Sequence, residues 1–164
     1  ALKKFCAALL ALALMLCLGA CRADISAYAS TPITVTGLTD EPFTVTPGEL
    51  AQLECVRATA RGNSDKAGTV QAYGPTLESL AQAHGRTLSE FRYVRFGASD
   101  DYDVTINALI WDSYEVILSV ANGSKPLEER QQPLRVVIPG YDSGKWVRLV
   151  TEIQFVSAES GGAA

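Results

Sequence analysis

The sequence predicts an α+β domain, β-rich, with mixed sheets and two or three short helices. Short runs of Val, Ile, Thr, Tyr and Phe, many of them alternating with polar residues, recur along the chain as half-buried strands do. Helix-start chemistry occurs at Thr46-Pro47-Gly48-Glu49 and Thr76-Leu77-Glu78-Ser79, each followed by only a short apolar face. Turn residues close the apolar runs at short intervals, as at Asn122-Gly123 and Pro139-Gly140.

Lys3-Lys4 and an uncharged apolar run from Phe5 to Leu18, ending in Leu18-Gly19-Ala20-Cys21, open the chain. The run is shorter than the ~20 residues that span a bilayer, and it has the basic start and small-residue end of a secretory signal. The terminal box resembles a bacterial lipobox. That resemblance implies cleavage after residue 20, lipidation of Cys21, and a protein held outside the cytoplasm against the bacterial cell membrane. Residues 21–31 then read as a lipidated tether, small, polar and without periodicity, reaching at most ~33 Å.

Cleavage leaves 144 of the 164 residues, enough for one domain with a sizeable core. Of the 14 basic residues Lys3 and Lys4 leave with the signal, so 12 face 18 acidic ones, a balance of −6 that disfavours nucleic acid as a partner. Cys6 and Cys17 leave too. Cys55 is then the one cysteine of the folded body, so packing rather than an internal disulfide must hold the fold.

Within a domain placed at 32–157, Ile33 to Gly37 and Phe43 to Val45 read as strands. Thr46 caps a short helix reaching Leu53, with Glu49 completing a capping box and Pro47 in the first helical position. Val56 to Ala60 is a strand, followed by a polar loop from Arg61 to Gly68. A helix capped by Thr76 and ended by Gly85 places Leu77, Leu80, Ala81 and His84 on one face. His84, the single histidine, reads as structural, favoured by the carbonyl end of its helix. Phe91 to Phe96 pairs with a strand containing Val104 and Ile106 across a turn where Asp100 and Asp101 form a solvated cap. Asn107 to Ser113 is a short helical turn, and Glu115 to Ala121 a buried strand leading into the Asn122-Gly123 hairpin. Leu134 to Ile138 is a buried strand that Pro139 stops, and Leu149 to Phe155 alternates as another. Residues 158–164 read as a disordered tail.

The order Pro133-Leu134-Arg135, then Val137-Ile138-Pro139-Gly140, then Gly144-Lys145-Trp146-Val147-Arg148 before an Ile153-Gln154-Phe155 strand resembles the molybdopterin-binding domain of the sulfite oxidase family. Val94-Arg95-Phe96 with Ser99, Asp101 and Tyr102 resembles a second family segment, minus its glycine, and the helix from Gly74 a third. The resemblance covers about residues 33 to 156. It implies that family's fold and a cleft for molybdopterin or another pterin. Basic side chains and glycine-loop N–H groups would hold the ligand there: Arg61, Asn63, Arg135, Gly144, Lys145, Trp146 and Arg148, with arginine for the family's last lysine. In catalytic members a cysteine after the Val56–Ala60 strand binds molybdenum. Arg61-Gly62-Asn63 stands there instead, and Cys55 lies at the other end of the strand, ~20 Å off at ~3.3 Å per residue. No metal ligand and no catalytic residue are therefore assigned.

Three readings of function follow from these residues. The favoured one is a lipid-anchored, non-catalytic binding protein taking a pterin or another small anion. The others are a molybdenum-cofactor oxidoreductase and an interaction module of the cell envelope. A plain alternative for Arg148 and Lys145 is ion pairing with Asp142 or Glu152, with Trp146 packed inside.

Overall fold

The computed structural model describes residues 22–63 and 68–158. Residues 1–21, on which the expected signal and lipidation at Cys21 fall, residues 64–67 of the 61–68 loop and, apart from Ala158, the expected tail lie outside the described residues. Three sheets and three short helices make up the rest. The largest sheet runs β2 (Phe43–Val45), β1 (Ile33–Thr36), β11 (Val150–Ser157), β5 (Phe91–Ala98), β6 (Asp103–Ile106), with β1 parallel to β11 and the other pairs antiparallel. A second sheet runs β3 (Cys55–Arg61), β4 (Thr69–Pro75), β8 (Ala121–Asn122), β9 (Lys125–Pro126). The third pairs β10 (Arg135–Val137) with β7 (Ile117–Ser119), and Val120 N–H bonding to the Tyr73 carbonyl at 2.8 Å joins it to β4. Phe96, Ile33, Ile153, Leu118, Leu134 and Ile138 are fully buried, so the core lies between these layers.

The helix starts work as their sequences require. Thr46 Oγ1 accepts from Glu49 N–H, and the Glu49 carboxylate accepts from Thr46 N–H at 2.8 Å, capping α1 (Pro47–Leu50). This helix stops at Leu50 and continues to Leu53 only as a turn. Thr76 Oγ1 caps α2 (Leu77–Ala83) through Ser79 N–H at 3.0 Å, and Asn107 caps α3 (Ala108–Trp111). Leu77, Leu80 and Ala81 face the core, whereas His84, as C-cap, is exposed and lies against the Phe43 ring with centroids 4.5 Å apart.

Several expectations need correcting. The hairpin turns on Gly123-Ser124, since Asn122 still pairs with Lys125, and Gly123 alone of the two central residues has positive φ, 63°. The expected Glu115–Ala121 strand is two, β7 and β8, interrupted where Val120 crosses to β4. Thr69 to Pro75, for which the sequence alone predicts no strand, is strand β4, aligned with β3 from end to end. In β11 a register shift between Val150 and Glu152 changes the inward set to Val150, Ile153 and Phe155. Of the stretch read as a tether, Tyr28 and Ala29 are bonded to the domain. Tyr28 is 3% exposed, its hydroxyl donates to the Val120 carbonyl and accepts from Leu127 N–H, both at 2.8 Å, and Gly48 N–H bonds to the Ala29 carbonyl.

Candidate functional site

The site forms where three connections meet. β10 ends at Val137, two residues before Pro139, and the chain turns through Gly140, at φ 81°, into Asp142 and a 3₁₀ turn, Ser143–Lys145. The Asp142 carboxylate caps this turn by accepting from Gly144 N–H at 2.9 Å. That bond first, and then one from the Asn63 amide at 3.0 Å, hold its pKa below the ordinary carboxylate value. Asn63 also accepts from Ser143 N–H at 3.2 Å and from the Ser143 hydroxyl, so the end of β3 is clasped to the glycine-rich turn. From the other side the Tyr102 hydroxyl donates to the Gly144 carbonyl at 2.8 Å. Tyr102 belongs to the β5–β6 turn, whose Asp101 has φ 63°, a conformation glycine adopts freely.

Beyond the turn, residues 146–150 run beside β10. Val136 N–H bonds to the Val147 carbonyl at 2.8 Å and Val150 N–H to the Leu134 carbonyl at 3.1 Å. Between them Leu149 takes φ 59°, a left-handed conformation costing a leucine about 1 kcal/mol, and its carbonyl accepts from Ser99 N–H at 3.0 Å. This irregular stretch separates two neighbours. Trp146 is 5% exposed and spends its N–H on the Ile138 carbonyl at 3.1 Å, so it packs and lies outside the ligand surface assigned to it from sequence. Arg148 is exposed.

Arg135 is the unusual residue. It is 7% exposed, at the start of the apolar strand β10, and its Nε has no hydrogen-bond partner among the described residues. Burial lowers its pKa, and the positive charge of Arg148 adds to that, while Glu128 opposes it and Arg130 reinforces it. A buried guanidinium with an idle donor beside a second arginine is costly for the folded state on its own. Arg130 is itself paired with Glu128 at 2.7 Å. Neither Lys145 nor Arg148 makes an ion pair among the described residues. Glu152 is taken by Arg95, which bridges it and Asp103 at 3.4 and 2.7 Å, so the plain pairing considered for Arg148 does not form.

The predicted residues thus fall in two groups joined by the Lys145–Arg148 segment: Asn63 with the Asp142–Gly144 turn, and Arg135 with Arg148. Arg61 is exposed at the end of β3, two residues from Asn63, and among the described residues makes no side-chain hydrogen bond or ion pair with either group. Missed from sequence were the clasping roles of Asp142 and Ser143 and the charge of Arg130; Tyr102 was visible as a motif residue without its contact to Gly144.

Residues 23–164 match the family model for the oxidoreductase molybdopterin binding domain. The chain belongs to this family. A search of curated proteins finds no match. Among solved structures the chain is similar to the sulfane dehydrogenase SoxCD from Paracoccus pantotrophus, with 18% identity, a TM-score of 0.63, and 80% of this chain covered. That similarity shows the fold, and the chain spans 40% of the matched one.

The domain's residues fit the anionic part of a molybdopterin and do not fit its metal. Donors of the right chemistry are Arg135 Nε, Arg148 and Lys145. A thiolate is lacking where it is needed. Cys55 pairs with Pro75 at the start of β3, while Arg61 pairs with Thr69 at its end. The Cys55 thiol sits 3.9 Å from the Leu50 and Ala51 carbonyls, and burial raises its pKa, which suits a packed thiol rather than a ligand. Among the described residues no three His, Cys, Asp or Glu side chains form a metal-holding group, and no helix is long and apolar enough to cross a membrane.

Proposed function

We propose that this protein is a lipid-anchored, extracytoplasmic binding protein, non-catalytic, whose molybdopterin-type domain takes a pterin phosphate or a related small anion. The observation that carries the reading is Arg135, buried with an unpartnered Nε next to Arg148. An anion accepting from both would satisfy the idle donor and offset the repulsion between the two cations. Lys145 adds a third donor, and the Asn63 and Tyr102 contacts hold its turn in place without using its ammonium. The absence of a thiolate at the end of β3 supports a binding role over redox chemistry.

Charge-assisted contacts to a phosphate contribute roughly 1.5–3 kcal/mol. Replacing Lys145 and Arg148 together by alanine should therefore weaken binding of a pterin phosphate at least about tenfold, measured by calorimetry. If the unmutated protein binds neither pterin phosphate nor a simple polyanion at millimolar concentration, the site is not an anion site and an interaction module is the better account. About one molybdenum per chain by elemental analysis, after expression with cofactor supply, would instead establish the oxidoreductase reading.

The anchor rests on the Leu18-Gly19-Ala20-Cys21 box. Cys21→Ser should move the protein from the membrane to the soluble fraction; retention with membranes in high salt would exclude a lipid as the attachment.

A further inference from the structure

A groove of about 570 Å³ opens on the side of the domain where the first turn of α2, the Thr87–Ser89 turn and the Trp111–Glu115 segment meet. Its volume lies in the range of small-molecule sites. Leu77 and Leu88, both buried, contribute to its lining, together with half-buried Trp111 and with Tyr114, which is 36% exposed. The Tyr114 ring is steadied by Tyr141, with centroids 5.0 Å apart and planes tilted by 58°, so the aromatic wall is set before any ligand arrives. Tyr141 itself leads into Asp142, which places this groove beside the glycine-rich turn but on different residues.

The charge of the groove is of one sign. Glu78, Asp112 and Glu115 line it, and none of its lining residues is Lys or Arg. Arg86, the cation nearest in sequence, is turned onto Glu90 at 2.7 Å and over the Phe91 ring. Glu78 is held by Leu88 N–H at 3.3 Å and by the Gln82 amide at 3.1 Å. Asp112 and Glu115 make no side-chain hydrogen bond or ion pair among the described residues. The free N–H groups at the start of α2 do not neutralise these carboxylates, because Leu77 N–H bonds to the Val116 carbonyl and Ser79 N–H to Thr76.

We propose that this groove binds a small organic cation, an alkylammonium or guanidinium compound. The faces of Trp111 and Tyr114 attract the cation through their ring quadrupoles, and Asp112 and Glu115 complete its coordination from the rim. Neutral ligands of the same shape gain only the apolar contact, and anions are repelled, so charge rather than shape sets the selectivity. The site is independent of the anion mouth around Arg135.

The test is a titration of the purified protein with tetramethylammonium and with agmatine, read by calorimetry and tryptophan fluorescence, beside neopentyl alcohol as the uncharged isostere of the first. Saturable binding of both cations is expected, with the alcohol at least about tenfold weaker. Asp112→Asn combined with Glu115→Gln should weaken the cations by about tenfold, and Tyr114→Leu should weaken them severalfold, with unchanged circular dichroism in each case. Equal binding of cation and alcohol would reduce the groove to a generic apolar recess. No saturation by either cation at ~50 mM, or an unaltered affinity in the double variant, would also overturn the proposal.

Discussion

Gly74→Ala should unfold the domain at a far lower temperature than the parent. A Cβ at this position would lie 1.9 Å from the Leu118 carbonyl oxygen and 3.2 Å from the Ser119 Cα, both backbone atoms of a strand locked between β4 and β10. Neither neighbour can rotate away, so the sheets must part. The cost expected is at least ~3 kcal/mol, out of a total that for domains of this size is ~5–15 kcal/mol. In thermal denaturation that is a fall of roughly 10 °C. Gly85→Ala is the matched control, because nothing lies within 4 Å of its Cβ although its φ is 71°, and its cost should stay near ~1 kcal/mol. A Gly74→Ala protein melting within a degree or two of the parent would show that β4 and β7 do not approach as described.

Tyr28→Ala should cost a comparable amount, about 3–5 kcal/mol, for a nearly fully buried aromatic ring. Tyr28→Phe isolates the hydroxyl. It keeps the ring but leaves Leu127 N–H and the Val120 carbonyl unpaired in the interior, a loss of ~1–3 kcal/mol. Urea denaturation gives both values, and limited proteolysis adds a local readout, since residues 22–31 should become cleavable before the sheets do. If both variants are as stable and as resistant as the parent, the N-terminal segment is not docked.

The strands that could be read from sequence are those whose own residues dictate them. Ile33 to Thr36 and Leu134 to Ile138 are β-branched and apolar, and nothing else suits such runs. Thr69 to Pro75 ends in Gly-Pro, which by local chemistry announces a turn. It is a strand because β3 pairs along its whole length and Ser119 Oγ accepts from Tyr73 N–H, contacts from residues far away in the chain. The site divides in the same way. Arg135 stood out as the one charge in an apolar strand, and its burial gives that oddity a physical meaning. Trp146 and Arg148, two apart, should share a face in a regular strand. They do not, because residues 146–148 lie outside any strand, with Trp146 closing the 3₁₀ turn at φ −84° and ψ 83°, a break that no side-chain preference foretells. Arg61 and Asn63 look alike as polar loop residues, yet only Asn63 reaches across the fold, through a pairing with Asp142 separated by 79 residues.

Docking of Tyr28 changes what an acyl chain on Cys21 would mean for the protein. From Tyr28 onward the segment is bonded to the body, first through the Tyr28 hydroxyl to Val120 and Leu127 and then through the Ala29 carbonyl to Gly48 N–H. The slack between such a lipid and the domain would shrink to about seven residues, roughly 24 Å when fully drawn out. A domain so held would range over only a thin layer above the bilayer. With such an anchor it would travel with the lipid in two dimensions and meet any ligand close to the bilayer, so that the membrane would bound the space from which ligands arrive.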